Sequence, residues 1–142
     1  TLNVAGIVGM AEALSLARSE REAFISHTQS LRDAFGAHIL SALNGEARID
    51  GGEAERVPNL SHITFAGGGE WLIGALDLRG VACSGGAACS AHAALPSHVM
   101  LAMGRSEEEA KRGVRFSFGA ETTPREAEYA AETVVSVIRK EG

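Results

Sequence analysis

Two side chains in this sequence have types and settings suited to chemistry. The first is Cys89, in the run Val81-Ala82-Cys83-Ser84-Gly85-Gly86-Ala87-Ala88-Cys89-Ser90-Ala91-His92. A short apolar stretch leads into glycines, alanines and a thiol, and only small or polar residues follow. Nothing bulky here can shield the sulfur, and Gly85 and Gly86 leave the backbone free to bend. A core cysteine would sit inside an apolar periodic segment instead. The composition predicts a mobile, solvent-facing arm. Its thiol is either a nucleophile that must travel or an ordinary surface cysteine, and the segment alone leaves both open. The second side chain is Arg115. Val114, Phe116 and Phe118 alternate onto one face of a strand, so Arg115 projects from the other. A guanidinium on a rigid strand can grip a carboxylate through two parallel hydrogen bonds. An arginine paired structurally with one of the many acidic residues fits the same position.

Other candidates are weaker. His27, His38, His62, His92 and His98 are scattered, and no pair has helical metal spacing with a third ligand close by. His92 and His98 flank the cysteine segment and are within reach of its thiol in sequence. Gly67-Gly68-Gly69 lacks the Lys-Ser/Thr of a phosphate loop and reads as a turn. Cys83 and Cys89, separated by five residues, match neither a zinc spacing nor a Cys-x-x-Cys motif. Reduced thiols in a cytoplasmic protein are the simpler expectation. No metal site is expected.

The elements that must position these residues follow from periodicity. Ile7, Met10, Ala11, Leu14 and Ala17 form a helical stripe, and a second continues through Phe24, Leu31, Ala34, Phe35, Ile39 and Leu43 until Asn44-Gly45 stops it. Asp50 to Glu53 reads as a turn. Asn59 to Ala66 reads as a strand with Ser61, Ile63 and Phe65 on one face and Leu60, His62 and Thr64 on the other. A short helix is expected over Glu70 to Leu78, a strand over Val81 to Ser84, and a brief helix over Pro96 to Met103. Ser106 with Glu109 and Thr123 with Glu126 are capping-box patterns, the second followed by Pro at the first helical position. Gly113 to Phe118 is a strand, and the final helix carries Ala127, Ala130, Ala131, Val134, Val137 and Ile138. The fold class is α/β, with a few-stranded sheet covered by long helices.

The chain of 142 residues fits one domain, with 45% hydrophobic and 22% charged residues. A formal charge of −5 gives no basic footprint for nucleic acid. No apolar run is long enough to span a bilayer, and no secretory pattern is visible. Because it begins at Thr1 without a methionine, the chain is read as a piece of something longer.

Several segments together resemble the C-terminal part of cysteine desulfurases of the NifS/IscS kind, the pyridoxal-phosphate enzymes of aminotransferase class V. They are Thr1 to Gly9, Val57-Pro58-Asn59 before a strand, Gly69-Glu70 opening a helix, and Leu76-Asp77-Leu78-Arg79-Gly80-Val81. The cysteine segment, Pro96-Ser97-His98-Val99-Met100, Ala102-Met103-Gly104, Val114-Arg115-Phe116-Ser117-Phe118-Gly119 and Thr122-Thr123 follow in the family's order.

The resemblance implies the small C-terminal domain of a fold-type-I, pyridoxal-phosphate-dependent transferase. It implies residues 1–142 as a single domain, with the large cofactor-binding domain absent from this chain. Cys89 would be the nucleophile that takes sulfur from L-cysteine as a persulfide, leaving L-alanine. Arg115 would hold the substrate carboxylate, and Thr1 would reach the cofactor phosphate of the neighbouring subunit in a homodimer. Implied partners are L-cysteine and a sulfur acceptor such as an iron–sulfur scaffold, with no nucleic acid and no membrane, in the cytoplasm. Gly85 and Ala87 stand where the family often has serines, and Cys83 is expected to be inert packing.

The family's Schiff-base lysine follows a histidine, whereas here the only lysines are Lys111 and Lys140, and neither does. Without that lysine no bound cofactor is expected on this piece, and no release of sulfur from cysteine by it alone. Two alternatives remain at this level. One is a stand-alone persulfide carrier or acceptor-docking module, and the other is a piece of a selenocysteine lyase-like enzyme.

Overall fold

The computed structural model describes residues 1–85 and 96–141. The two predicted N-terminal stripes form one continuous helix, α1, Val4–Leu43. Asn3 caps it, its side-chain oxygen accepting from the Gly6 amide at 3.0 Å. It stops where Asn44 adopts the left-handed conformation (φ 38°) and returns its amide to the Leu40 carbonyl.

The halves of α1 differ in what they touch. Leu31, Phe35, Ile39 and Leu43 are buried at spacings of four, as the stripe predicts. Val4, Ile7, Val8, Met10 and Leu14 follow the same periodicity but are each more than half exposed. Nothing among the described residues covers them. Helix this far from a core is supported only by local terms, which are marginal in water. In the isolated 142-residue chain, amides of residues 8–22 are expected to exchange with opening free energies near zero. Those of 31–43 should exchange only with the core. Equal protection of both halves in a hydrogen-exchange experiment would show that the first half is packed against something.

The sheet has four antiparallel strands in the order β1-β2-β4-β3: β1 is Ala47–Ile49, β2 Leu60–Phe65, β3 Ser84–Gly85 and β4 Gly113–Ser117. Ile63 and Phe65 of β2 join Val114 and Phe116 of β4 on the core face, and Phe118 continues it. The second half of α1, α2 (Glu70–Asp77) and α5 (Pro124–Glu141) cover that face. Leu72 and Leu76 enter from α2, and Ala131, Val134, Val137 and Ile138 from α5. The Phe35 ring packs between Phe116 and Phe118, with centroids 4.8 and 5.4 Å away. Burying a side chain of this size stabilises the fold by roughly 2–3 kcal/mol.

Two short helices, α3 (His98–Ala102) and α4 (Glu107–Lys111), precede β4. The Ser106–Glu109 capping box is formed reciprocally, and Thr123 and Glu126 make the same exchange at the start of α5. Their first turns are thereby closed without an outside partner.

One strand arises without an expectation and two expectations shift. β1 is too short to read from periodicity. The strand expected over Val81 to Ser84 reduces to Ser84–Gly85, because the Val81 amide donates to the Leu76 carbonyl at the end of α2. An amide so engaged cannot also join a ladder. The helix expected over Pro96 to Met103 begins at His98, with Ser97 at the position just before it. No helix among the described residues is long and apolar enough to cross a membrane.

Candidate functional site

The sheet face away from the core is polar, and Arg115 lies at its centre. Strand register pairs Arg115 with His62 of β2 on one side and Ser84 of β3 on the other. Directly opposed residues in antiparallel strands project to the same face, so His62, Arg115 and Ser84 form one cross-strand row. Arg115 is half-buried, and its Nε is shielded from solvent without a hydrogen-bond partner. Among the described residues no carboxylate pairs with it, so the structural pairing that the sequence left open is not formed here. Ser84 is adjacent to Gly85, so Arg115 stands beside the root of the cysteine-bearing segment.

Beside this row is a buried carboxylate. Asp50 follows β1, and its side chain is 2% exposed. Its Oδ2 accepts from His62 Nδ1 at 2.8 Å and from Thr64 Oγ1 at 2.7 Å. Its Oδ1 lies 3.5 Å from Nε of both Arg48 and Arg105. Arg48 also reaches Glu109 of α4 at 3.2 Å. Burial alone would raise the Asp50 carboxyl. The hydrogen bonds from His62 and Thr64, with the charges of His62 and Arg48, outweigh it and hold the carboxyl below its ordinary value. Asp50 is thus an ionised hub, and His62 donates to it through Nδ1.

The His62 ring has little room. A Cβ added at Gly113 would come within 2.2 Å of its Cε1, so the ring packs directly on the β4 backbone. Only glycine permits that approach. Arg105 arrives from the turn between α3 and α4, which therefore fixes this face as well.

The remaining sequence-predicted residues are dispersed. Cys89 and His92 lie outside the described residues. His98 is exposed on α3. His27 bonds the Thr122 carbonyl at 2.8 Å and steadies the turn after β4. Thr1 is exposed and precedes α1. The helical rise puts Val4 roughly 35 Å along the axis from His27, so the fold does not bring Thr1 to Arg115. Cys83 is half-buried against the core. Burial, and secondarily the Asp77 charge, push its thiol up to about 11. An apolar cleft of about 450 Å³ between α1, α5 and β4, lined by Phe35, Val81, Phe116, Phe118 and Ala127, lies on the core side and does not include Arg115. No cluster of His, Cys, Asp or Glu among the described residues is arranged to hold a metal ion.

Sequence reasoning missed Asp50, Arg48 and Arg105, and it gave His62 only a structural role. The one available signal was that His62 and Thr64 share the polar face of β2.

The described lysines test the fit to pyridoxal phosphate. Lys111 ends α4 and Lys140 lies in the last turn of α5, and both are exposed. An enclosed amine for a cofactor aldehyde is not among the described residues, so they do not by themselves fit that group.

Against known proteins, the family model for aminotransferase class-V matches residues 1–129. The chain is 36% identical over 141 residues to the cysteine desulfurase IscS of Pseudomonas putida, covering 99% of this chain and 34% of that protein. It is 39% identical over 143 residues to the cysteine desulfurase IscS of Neisseria meningitidis, with the same coverage of each. A solved NifS-like protein superposes with a TM-score of 0.81 at 26% identity, over 99% of this chain and 35% of that one. The chain thus spans about a third of the length of the relatives it matches. With the family pattern running across the helices, the sheet and the Arg115 strand alike, this chain belongs to the aminotransferase class-V family.

Proposed function

We propose that this chain is the C-terminal domain of a cysteine desulfurase. A cofactor-binding domain would lie elsewhere in the whole protein. There Cys89 would receive the sulfur of L-cysteine as a persulfide, leave L-alanine, and pass the sulfur to an acceptor protein. Arg115 would clamp the substrate carboxylate, and Thr1 would reach the cofactor phosphate of a neighbouring subunit. The observation that carries this reading is Arg115, a guanidinium fixed mid-sheet with no carboxylate partner among the described residues. It stands next to Ser84, at the root of the segment bearing Cys89. The four steps from Gly85 to Cys89 span at most about 14 Å of extended chain, a length that lets a thiol there reach the clamp. The IscS relatives supply the reaction class.

Pyridoxal phosphate, when bound, supplies the electron sink that makes the carbon–sulfur bond labile. No residue described here does that work. The exposed apolar half of α1 supports a further domain seated on it, since a face of this size is normally covered. The test uses the whole protein with its cofactor and L-cysteine. Alanine should form in step with the gain of one sulfur atom on Cys89, read by intact and peptide mass spectrometry. Alanine without sulfur on Cys89 would overturn the carrier role, and no alanine at all would overturn the reaction.

A further inference from the structure

We propose that His62, held by Asp50, is a positioning residue for Arg115 that sets the affinity of the site for a carboxylate. The inference rests on the reading of Arg115 as the clamp. A free arginine side chain samples many rotamers, so a clamp without a wall would lose affinity each time it is ordered. In this fold the wall is His62. It is the cross-strand partner of Arg115 on the polar face. Its Nδ1 is fixed on Asp50 at 2.8 Å, and its ring packs on the Gly113 backbone. Asp50 is itself held by Thr64, Arg48 and Arg105. The ring therefore has one orientation, and strand register sets His62 opposite Arg115, whose Nε is shielded from solvent. Asp50 also neutralises part of the positive charge around the clamp. It serves Arg48, Arg105 and His62 but makes no contact with Arg115, whose guanidinium is left for a ligand.

The test uses the full-length protein with its cofactor and two competitive ligands of the cysteine reaction. These are L-alanine and ethylamine, the same amine without the carboxylate. His62→Asn keeps an amide donor for Asp50 but withdraws the ring from Arg115. Gly113→Ala keeps every polar group but forces the ring to move, and it serves if the first variant does not fold. The expected result is a rise of about tenfold in the inhibition constant for L-alanine and in KM for L-cysteine. kcat and the constant for ethylamine should stay within about twofold. In an Arg115→Ala background the His62 change should have no further effect. If Arg115→Ala leaves L-alanine binding unchanged, the clamp reading itself fails. If Arg115→Ala weakens L-alanine and the His62 and Gly113 variants do not, the positioning role fails alone. Equal weakening of L-alanine and ethylamine would mean a merely structural role and would also overturn it.

Discussion

Replacing Cys89 by serine in the full-length protein is expected to lower sulfur transfer from L-cysteine by on the order of 10³-fold or more. A hydroxyl cannot accept and pass on a sulfur atom as a thiolate can, so the loss should appear in kcat and should not be rescued by more substrate. The matched control is Cys83→Ser. Cys83 is half-buried, and its thiol is raised to about 11 by burial and, second, by Asp77. Near pH 8 only about one part in a thousand of it is thiolate. Cys83→Ser should therefore leave turnover within about twofold, and alkylation of the native protein should mark Cys89 and spare Cys83. Full turnover in Cys89→Ser, or loss in Cys83→Ser alone, would move the chemistry to a different sulfur.

The second large effect is on stability. Asp50→Ala should destabilise the domain by about 1–3 kcal/mol, the cost of leaving shielded hydrogen-bonding groups without a partner. The side chain is 2% exposed and binds His62, Thr64, Arg48 and Arg105 from three separate parts of the chain. Without it, Arg105 and the His62 imidazole lose their carboxylate, while Arg48 keeps only Glu109. The Asp50 carboxyl titrates lower in the folded protein than its ordinary value of 3.8. Its contribution is therefore complete above the unfolded value and is lost as the pH falls through the folded one. Acid unfolding of the parent should steepen below about pH 4. Asp50→Asn, which carries no titrating proton, should flatten that slope while starting from lower stability at pH 7. An unchanged acid profile would show that another carboxylate dominates it.

Much of this was legible in one dimension. Alternation in Val114-Arg115-Phe116-Ser117-Phe118 announced a strand with Arg115 on its polar side, because side chains on a strand alternate whatever the fold around them. The capping boxes at Ser106 and Thr123 were equally plain, being closed within four residues. The stripe in the first half of α1 predicts helix, and helix forms there, but periodicity reports which face is apolar and not whether anything meets it. Strand β1 escaped because three residues carry too little periodicity, and Val81 left the expected strand because α2 claimed its amide.

By itself, then, the sequence determined the long helices and the two central strands, the side of the sheet on which Arg115 stands, the small-residue setting of Cys89 and the family pattern that joins them. Each depends on neighbours a few residues apart or on their order along the chain. Only the tertiary structure decided that His62 lies beside Arg115, that Ser84 flanks its other side, and that Asp50 gathers Arg48, Thr64, His62 and Arg105. Those contacts join residues up to 55 positions apart, from Asp50 to Arg105. They exist because strand register and burial bring the groups together, and an ionised carboxylate taken out of water needs donors at hydrogen-bond distance from wherever the fold can supply them.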